Sequence, residues 1–172
     1  DMIWCQLFSE PGAGSDLASL TTKAVKVDGG WRITGQKIWT TTAHLADWVF
    51  ALVRTDTEAR KQEGISFLLI DLRTPGITIR PIHSIDGEHH LNEVFFDGAR
   101  TEGSLHLGPV GDGWKVAMYL LGCERGASTL GQQAHFRYEL NLIFELARKN
   151  GAARDPLLRQ RLAKAALGLQ TL

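Results

Sequence analysis

The chain has 172 residues, 44% of them hydrophobic, a length that suffices for one good core or for one small domain with part of a second. Its 19 Lys+Arg balance 19 Asp+Glu, so no surplus charge draws it to nucleic acid or an anionic membrane surface, and any phosphate-bearing ligand has to be met locally. Two cysteines, Cys5 and Cys123, lie far apart without CxxC or histidine-ligand spacing, which argues against a disulfide framework and a zinc site and makes a reducing, cytosolic compartment the default.

The chain opens on the apolar run DMIWCQLF, with no charged-then-apolar signal region before it, and residues 3–8 read as a short strand. A glycine-rich loop follows. Residues 22–27 and 31–39 are rich in β-branched and aromatic side chains and are separated by Asp28-Gly29-Gly30, a hairpin signal because positive φ costs little at glycine. This places Trp39 and Thr41 at the far end of a strand whose start is fixed by a tight turn. Residues 47–53 form a further strand, and the polar stretch 56–63 a surface loop. Residues 65–71, ISFLLID, are apolar almost throughout and read as a strand buried on both faces. Thr74-Pro75-Gly76 turns the chain into two more strands, 77–82 and 91–97. Seven short strands without an intervening helical pattern indicate a β-sandwich or barrel rather than a βαβ sheet.

From Gly111 the period changes to 3.6 and holds to about Asn150-Gly151, where a C-cap is expected. Such a helix has roughly 36 residues and a length of about 54 Å, too long for a domain of this size to cover, so its apolar face is expected to pack on helices outside this chain. Gly122 to Gly126 is the place where it could bend. Pro156 opens a second amphipathic helix over 157–172, which the closing ALGLQTL leaves unfinished. No run of about 18 apolar residues reads as a membrane span. The whole reads as a part of something longer: a mixed β and α chain with a β-domain at 1–108 and the start of a truncated helical bundle at 109–172.

Two stretches carry chemistry. FSEPGAGSDLAS at 8–19 joins a carboxylate and a proline to Gly12, Gly14, Ser15 and Asp16, so backbone amides and hydroxyls can approach an anion closely. It is neither a Walker loop, for no Gly-Lys-Ser/Thr follows, nor a Rossmann fingerprint, for the glycine spacing differs and no helix opens behind it. KIWTTT at 37–42 places an indole beside three hydroxyls, as a planar heterocycle requires. His83, His89 and His90 invite a metal reading, but no second ligand pair stands at helical spacing.

Together the two stretches resemble the acyl-CoA dehydrogenase family, and GISFLLIDLRTPGI, LNEVFFDGA and GDGWKVAM follow in that family's order, so the resemblance covers nearly the whole chain. It implies FAD held by Gln6, Phe8, Ser9, Gly14, Ser15, Trp39 and Thr41, with Ser9 in place of the usual threonine. Trp39 would pack beside the isoalloxazine and Thr41 would bond its hydride-accepting nitrogen. Thr42 replaces a common asparagine. Ser15 would also lie near the substrate's pantetheine arm, Arg125 would approach the bound CoA ester, and Glu124 stands where some members place the catalytic base, others placing it further downstream. Gly98 and Arg100-Thr101-Glu102 depart from the family pattern, which leaves the link to the helices undefined. The resemblance further implies α,β-dehydrogenation of an acyl-CoA, an electron-transfer flavoprotein as acceptor, and a homodimer or homotetramer. An oxidase or flavin monooxygenase of the same fold, and a non-catalytic binding module, are the alternatives.

Overall fold

The computed structural model describes residues 1–171, apart from the side chains of residues 127–129. Seven strands form where the alternation places them: β1 (Trp4–Leu7), β2 (Lys23–Val27), β3 (Gly30–Thr41), β4 (Trp48–Arg54), β5 (Ile65–Asp71), β6 (Ile77–Ile82) and β7 (Leu91–Glu102). Two long helices follow, α1 (Gly113–Lys149) and α2 (Pro156–Gln170). The chain divides into two compact units, Asp1–Tyr119 and Leu120–Leu172, the boundary falling inside α1.

In the first unit the strands make one sheet in the order β1-β4-β2-β3-β7-β6, with β5 added on β4. The hairpins β2–β3, β4–β5 and β6–β7 are antiparallel, whereas β1 lies parallel to β4 with Trp4 opposite Trp48 and Leu7 opposite Ala51. Inward residues alternate along each strand and close one core: Cys5 and Leu7, Ile33, Val49, Ala51 and Val53, Leu68 and Ile70, Val94 and Phe96. The other face of β4 and β5 is covered too. Phe50 and Phe67 stack at 5.5 Å, and Phe8 meets both edge-on, so β5 is buried on its two faces as its composition requires.

Strand β7 runs five residues beyond the expected end at Asp97. Its register against β3 slips between Ile33 and Thr34, leaving Gly98 as the unpaired residue at φ 68°. Before the bulge the even residues Asn92, Val94 and Phe96 point inward, and after it Ala99 and Thr101 do. The departure at Gly98 is therefore a glycine bulge that resets strand parity, and the strand continues through Arg100 and Thr101 to Glu102.

The first turn of α1 is anchored on β5. A Cβ at Gly113 would lie 2.5 Å from the carbonyl carbon of Ser66, so only glycine admits this approach, and Ala117 one turn on is fully buried. The amide of Gly111 donates to Ser66 Oγ at 2.9 Å, and that hydroxyl shares a hydrogen bond of 2.7 Å with Thr55.

The second unit is a helical hairpin. The 37-residue α1 is continuous through Gly122 and Gly126 and ends before Gly151, whose φ of 75° stops it at the expected C-cap. Asp155 caps α2, accepting from the amides of Leu157 and Leu158, with Pro156 in the first turn. Phe136, Leu140 and Ile143 of α1 and Ala165 and Leu169 of α2 line a groove between them, while Leu130, Leu146, Leu157 and Leu167 are more than half exposed. The expected end of the second helix at Leu172 lies outside the described residues. No helix among the described residues is long and apolar enough to cross a membrane.

Candidate functional site

The glycine-rich loop and the KIWTTT strand, 20 to 30 residues apart in sequence, are tied together in the fold by a pair that sequence reasoning passed over. Lys37 is completely buried, and its Nζ reaches Glu10 Oε1 at 2.8 Å and the carbonyl of Phe8 at 3.0 Å. Glu10 is equally enclosed and accepts three more hydrogen bonds, from the amide and hydroxyl of Thr21 and from the amide of Thr22. Burial works against its ionisation, but the Lys37 ammonium and these donors outweigh that and bring its carboxyl from the ordinary 4.5 down to about 2. Burial also lowers Lys37, from 10.5 to about 8, against the pull of Glu10. A signal lay in the alternation of the strand: Lys37 falls in step with the inward Trp31 and Ile33, and a lysine placed there has to find a carboxylate.

The pair holds the loop down. Ser9 offers its carbonyl to the amide of Ile38 at 3.0 Å, and Glu10 and Ala13 exchange backbone hydrogen bonds to close the tight turn. Phe8 is buried among the rings below, Gln6 and Ser9 are half-buried, and Gly14 and Ser15 are exposed on the loop. Asp16 beyond it is held below its ordinary range by the hydroxyl of Ser19 and then by Lys61.

On the strand side, the register of β3 against β7 breaks between Lys37 and Thr40. Trp39 takes φ 60° in this break, an unusual conformation for a bulky residue, and Thr42 takes φ 58°. The break lets Lys37 and Thr40 both point inward although they are an odd number of residues apart, and it turns Trp39 out, 58% exposed, beside exposed Thr41. The loop and the strand end thus come together, as Ser9 to Ile38 and Phe8 to Lys37 show. Glu124 and Arg125 lie on α1 in the other unit, both exposed.

These residues fit a flavin dinucleotide. Trp39 offers an open aromatic face with Thr41 beside it, and Ser15 lies on an exposed loop. Gly12 and Gly14 have no positive φ, and a Cβ on either would meet nothing among the described residues, so the packing of the loop itself does not require glycine there. Thr40 Oγ1 is buried without a hydrogen-bond partner among the described residues.

Residues 5–99 match the family model "Acyl-CoA dehydrogenase, middle domain". The chain is 53% identical over 171 residues to acyl-CoA dehydrogenase IpdE1 of Mycobacterium tuberculosis, covering 99% of this chain and 44% of that protein. It is 48% identical to IpdE1 of Mycolicibacterium smegmatis, covering 99% of this chain and 46% of that one. Among solved structures, the Tcur3481-Tcur3483 steroid ACAD superposes with a TM-score of 0.88 at 33% identity, over 99% of this chain and 44% of its own. The chain spans less than half the length of these relatives. With the seven-stranded sheet, the long helices and the paired motifs, the matches place this chain in the acyl-CoA dehydrogenase family.

Proposed function

We propose that the protein containing this chain is an FAD-dependent acyl-CoA dehydrogenase that forms an α,β double bond in a thioester. The observation that supports this most directly is the buried Glu10–Lys37 pair, which joins the glycine-rich loop to the strand bearing Trp39 and Thr41. FAD would be held by Gln6, Phe8, Ser9, Gly14, Ser15, Trp39 and Thr41, and when bound it supplies the acceptor for the hydride leaving the β-carbon. Glu124 is proposed to take the α-proton, which requires a thioester carbonyl polarised by hydrogen bonds in a dry pocket. Ser15 and Arg125 would hold the CoA ester. In this reading residues 1–108 are the middle β-domain and 109–172 the start of the helical domain. An electron-transfer flavoprotein is the proposed partner, and the complete protein a homodimer or homotetramer. The steroid ACAD among the relatives points to a ring-bearing acyl group as the substrate class.

The test is anaerobic bleaching of the flavin in the complete protein by acyl-CoA thioesters, ring-bearing against straight-chain. Bleaching by a thioester and not by the free acid supports the reading. A purified complete protein that carries no flavin, or whose flavin no acyl-CoA reduces, overturns it. Rapid reaction of the reduced protein with oxygen would favour an oxidase instead.

A further inference from the structure

The outward turn of Trp39 and Thr41 is held from β7 by an amide whose orientation its neighbours dictate. Asn92 is fully buried, and its Nδ2 donates to the carbonyl of Thr40 at 3.0 Å. A carbonyl can only accept, so the NH2 end of Asn92 must face it, and this assigns the rest of the network. Asn92 Oδ1 then accepts from His89 Nε2 at 2.8 Å, and the second N–H of Nδ2 points at His44 Nδ1, 3.2 Å away, which must offer its lone pair. The His44 and His89 rings stack on each other at 4.0 Å, so the two partners of the amide brace one another. Two residues beyond Thr40, the amide of Thr42 donates to the carbonyl of His90 at 2.8 Å. Pairing with β7 resumes at Thr40 opposite Asn92, immediately after the register break that contains Trp39.

We infer that Asn92 is a positioning residue for the flavin site: oriented by His44 and His89, it fixes the Thr40 carbonyl and thereby sets where Trp39 and Thr41 stand. The inference rests on the flavin reading above. An ordinary strand pair would not need it, because ladder hydrogen bonds set the backbone. Here the ladder is interrupted for two residues, Trp39 sits in a conformation that costs energy, and a side chain supplies the missing hold. Asn92 is fully buried and acts through the Thr40 carbonyl, so its loss should affect the rate at which bound flavin is reduced more than the affinity for acyl-CoA.

The experiment uses the complete, flavin-loaded protein with two variants. Asn92→Asp keeps the shape but puts an acceptor against the Thr40 carbonyl. His89→Phe keeps a ring against His44 and removes the donor to Asn92 Oδ1, at a half-buried site. Three quantities are read: hydrogen exchange of the Thr42 amide, the visible spectrum of the bound flavin, and the split between kcat and KM. The inference expects faster exchange at Thr42, a shifted flavin band, and a loss of reduction rate of about 10- to 100-fold for Asn92→Asp and a smaller loss for His89→Phe, with KM within about twofold. If Asn92→Asp fails to fold, His89→Phe decides. A parent spectrum and reduction rate per bound flavin in the folded variants overturn the inference while leaving the flavin reading intact. A parent protein without flavin overturns that reading and this inference with it.

Discussion

At the scale of single residues, the Glu10–Lys37 pair links pH to stability. The carboxyl of Glu10 titrates at about 2 in the fold against 4.5 ordinarily, so its contribution is complete above 4.5 and is lost as the pH falls through about 2. Acid unfolding of the parent should therefore steepen in that window, and Glu10→Gln should flatten the pH dependence of Tm there. Lys37→Met leaves a carboxylate buried without its cation and should cost about 3–5 kcal/mol by denaturant titration. At Trp39 the backbone and the ring can be tested apart. Trp39→Ala removes the aromatic face, about 1 kcal/mol of stacking, and should weaken flavin retention, whereas Thr41→Val should mainly slow flavin reduction. Trp39→Gly removes the same face but relaxes the φ of 60°, so it should be at least as stable as Trp39→Ala in thermal melts, although glycine ordinarily weakens a strand.

At the scale of elements, the strands were legible because alternation and turn residues are local. DGG marked the β2–β3 hairpin, and ISFLLID announced a strand covered on both faces. Long-range placement was not legible: nothing near residues 4–7 says that they pair in parallel with residues 48–51. The Glu10–Lys37 pair escaped notice for the same reason: the alternation puts Lys37 on the inward side, but its partner lies 27 residues away in a loop, where it looks like a surface charge. Gly98 was visible as a departure, but its meaning as a bulge depends on β3 lying opposite. That meaning gives a sharp contrast between two glycines. A Cβ at Gly98 would meet only Arg32 Cδ at 3.9 Å, so Gly98→Ala should cost only the left-handed backbone penalty, about 1–2 kcal/mol. Gly113→Ala must push the helix start off the Ser66 backbone and should lower Tm further, and equal losses in the two variants would contradict this account.

At the scale of the whole molecule, the residues proposed for flavin lie in one unit and those proposed for the thioester in the other, apart from Ser15. Glu124→Gln in the complete protein should slow acyl-CoA-dependent bleaching at least about 100-fold with FAD retained; near-parent bleaching would move the base elsewhere. The 172 residues alone are expected to bind FAD weakly, and sub-micromolar affinity in a titration would refute this. The buried ion pair also has a kinetic side. Charges give up their water only once the walls around them exist, and here the partners come from three separate stretches of chain, the loop after β1, Thr21 and Thr22 ahead of β2, and Lys37 on β3. The pair should therefore close late, after the folding barrier. Lys37→Met should then leave the refolding limb of the chevron nearly unmoved and place its whole effect on unfolding, which would make Glu10 and Lys37 a latch that governs how long the β-unit, once folded, lasts.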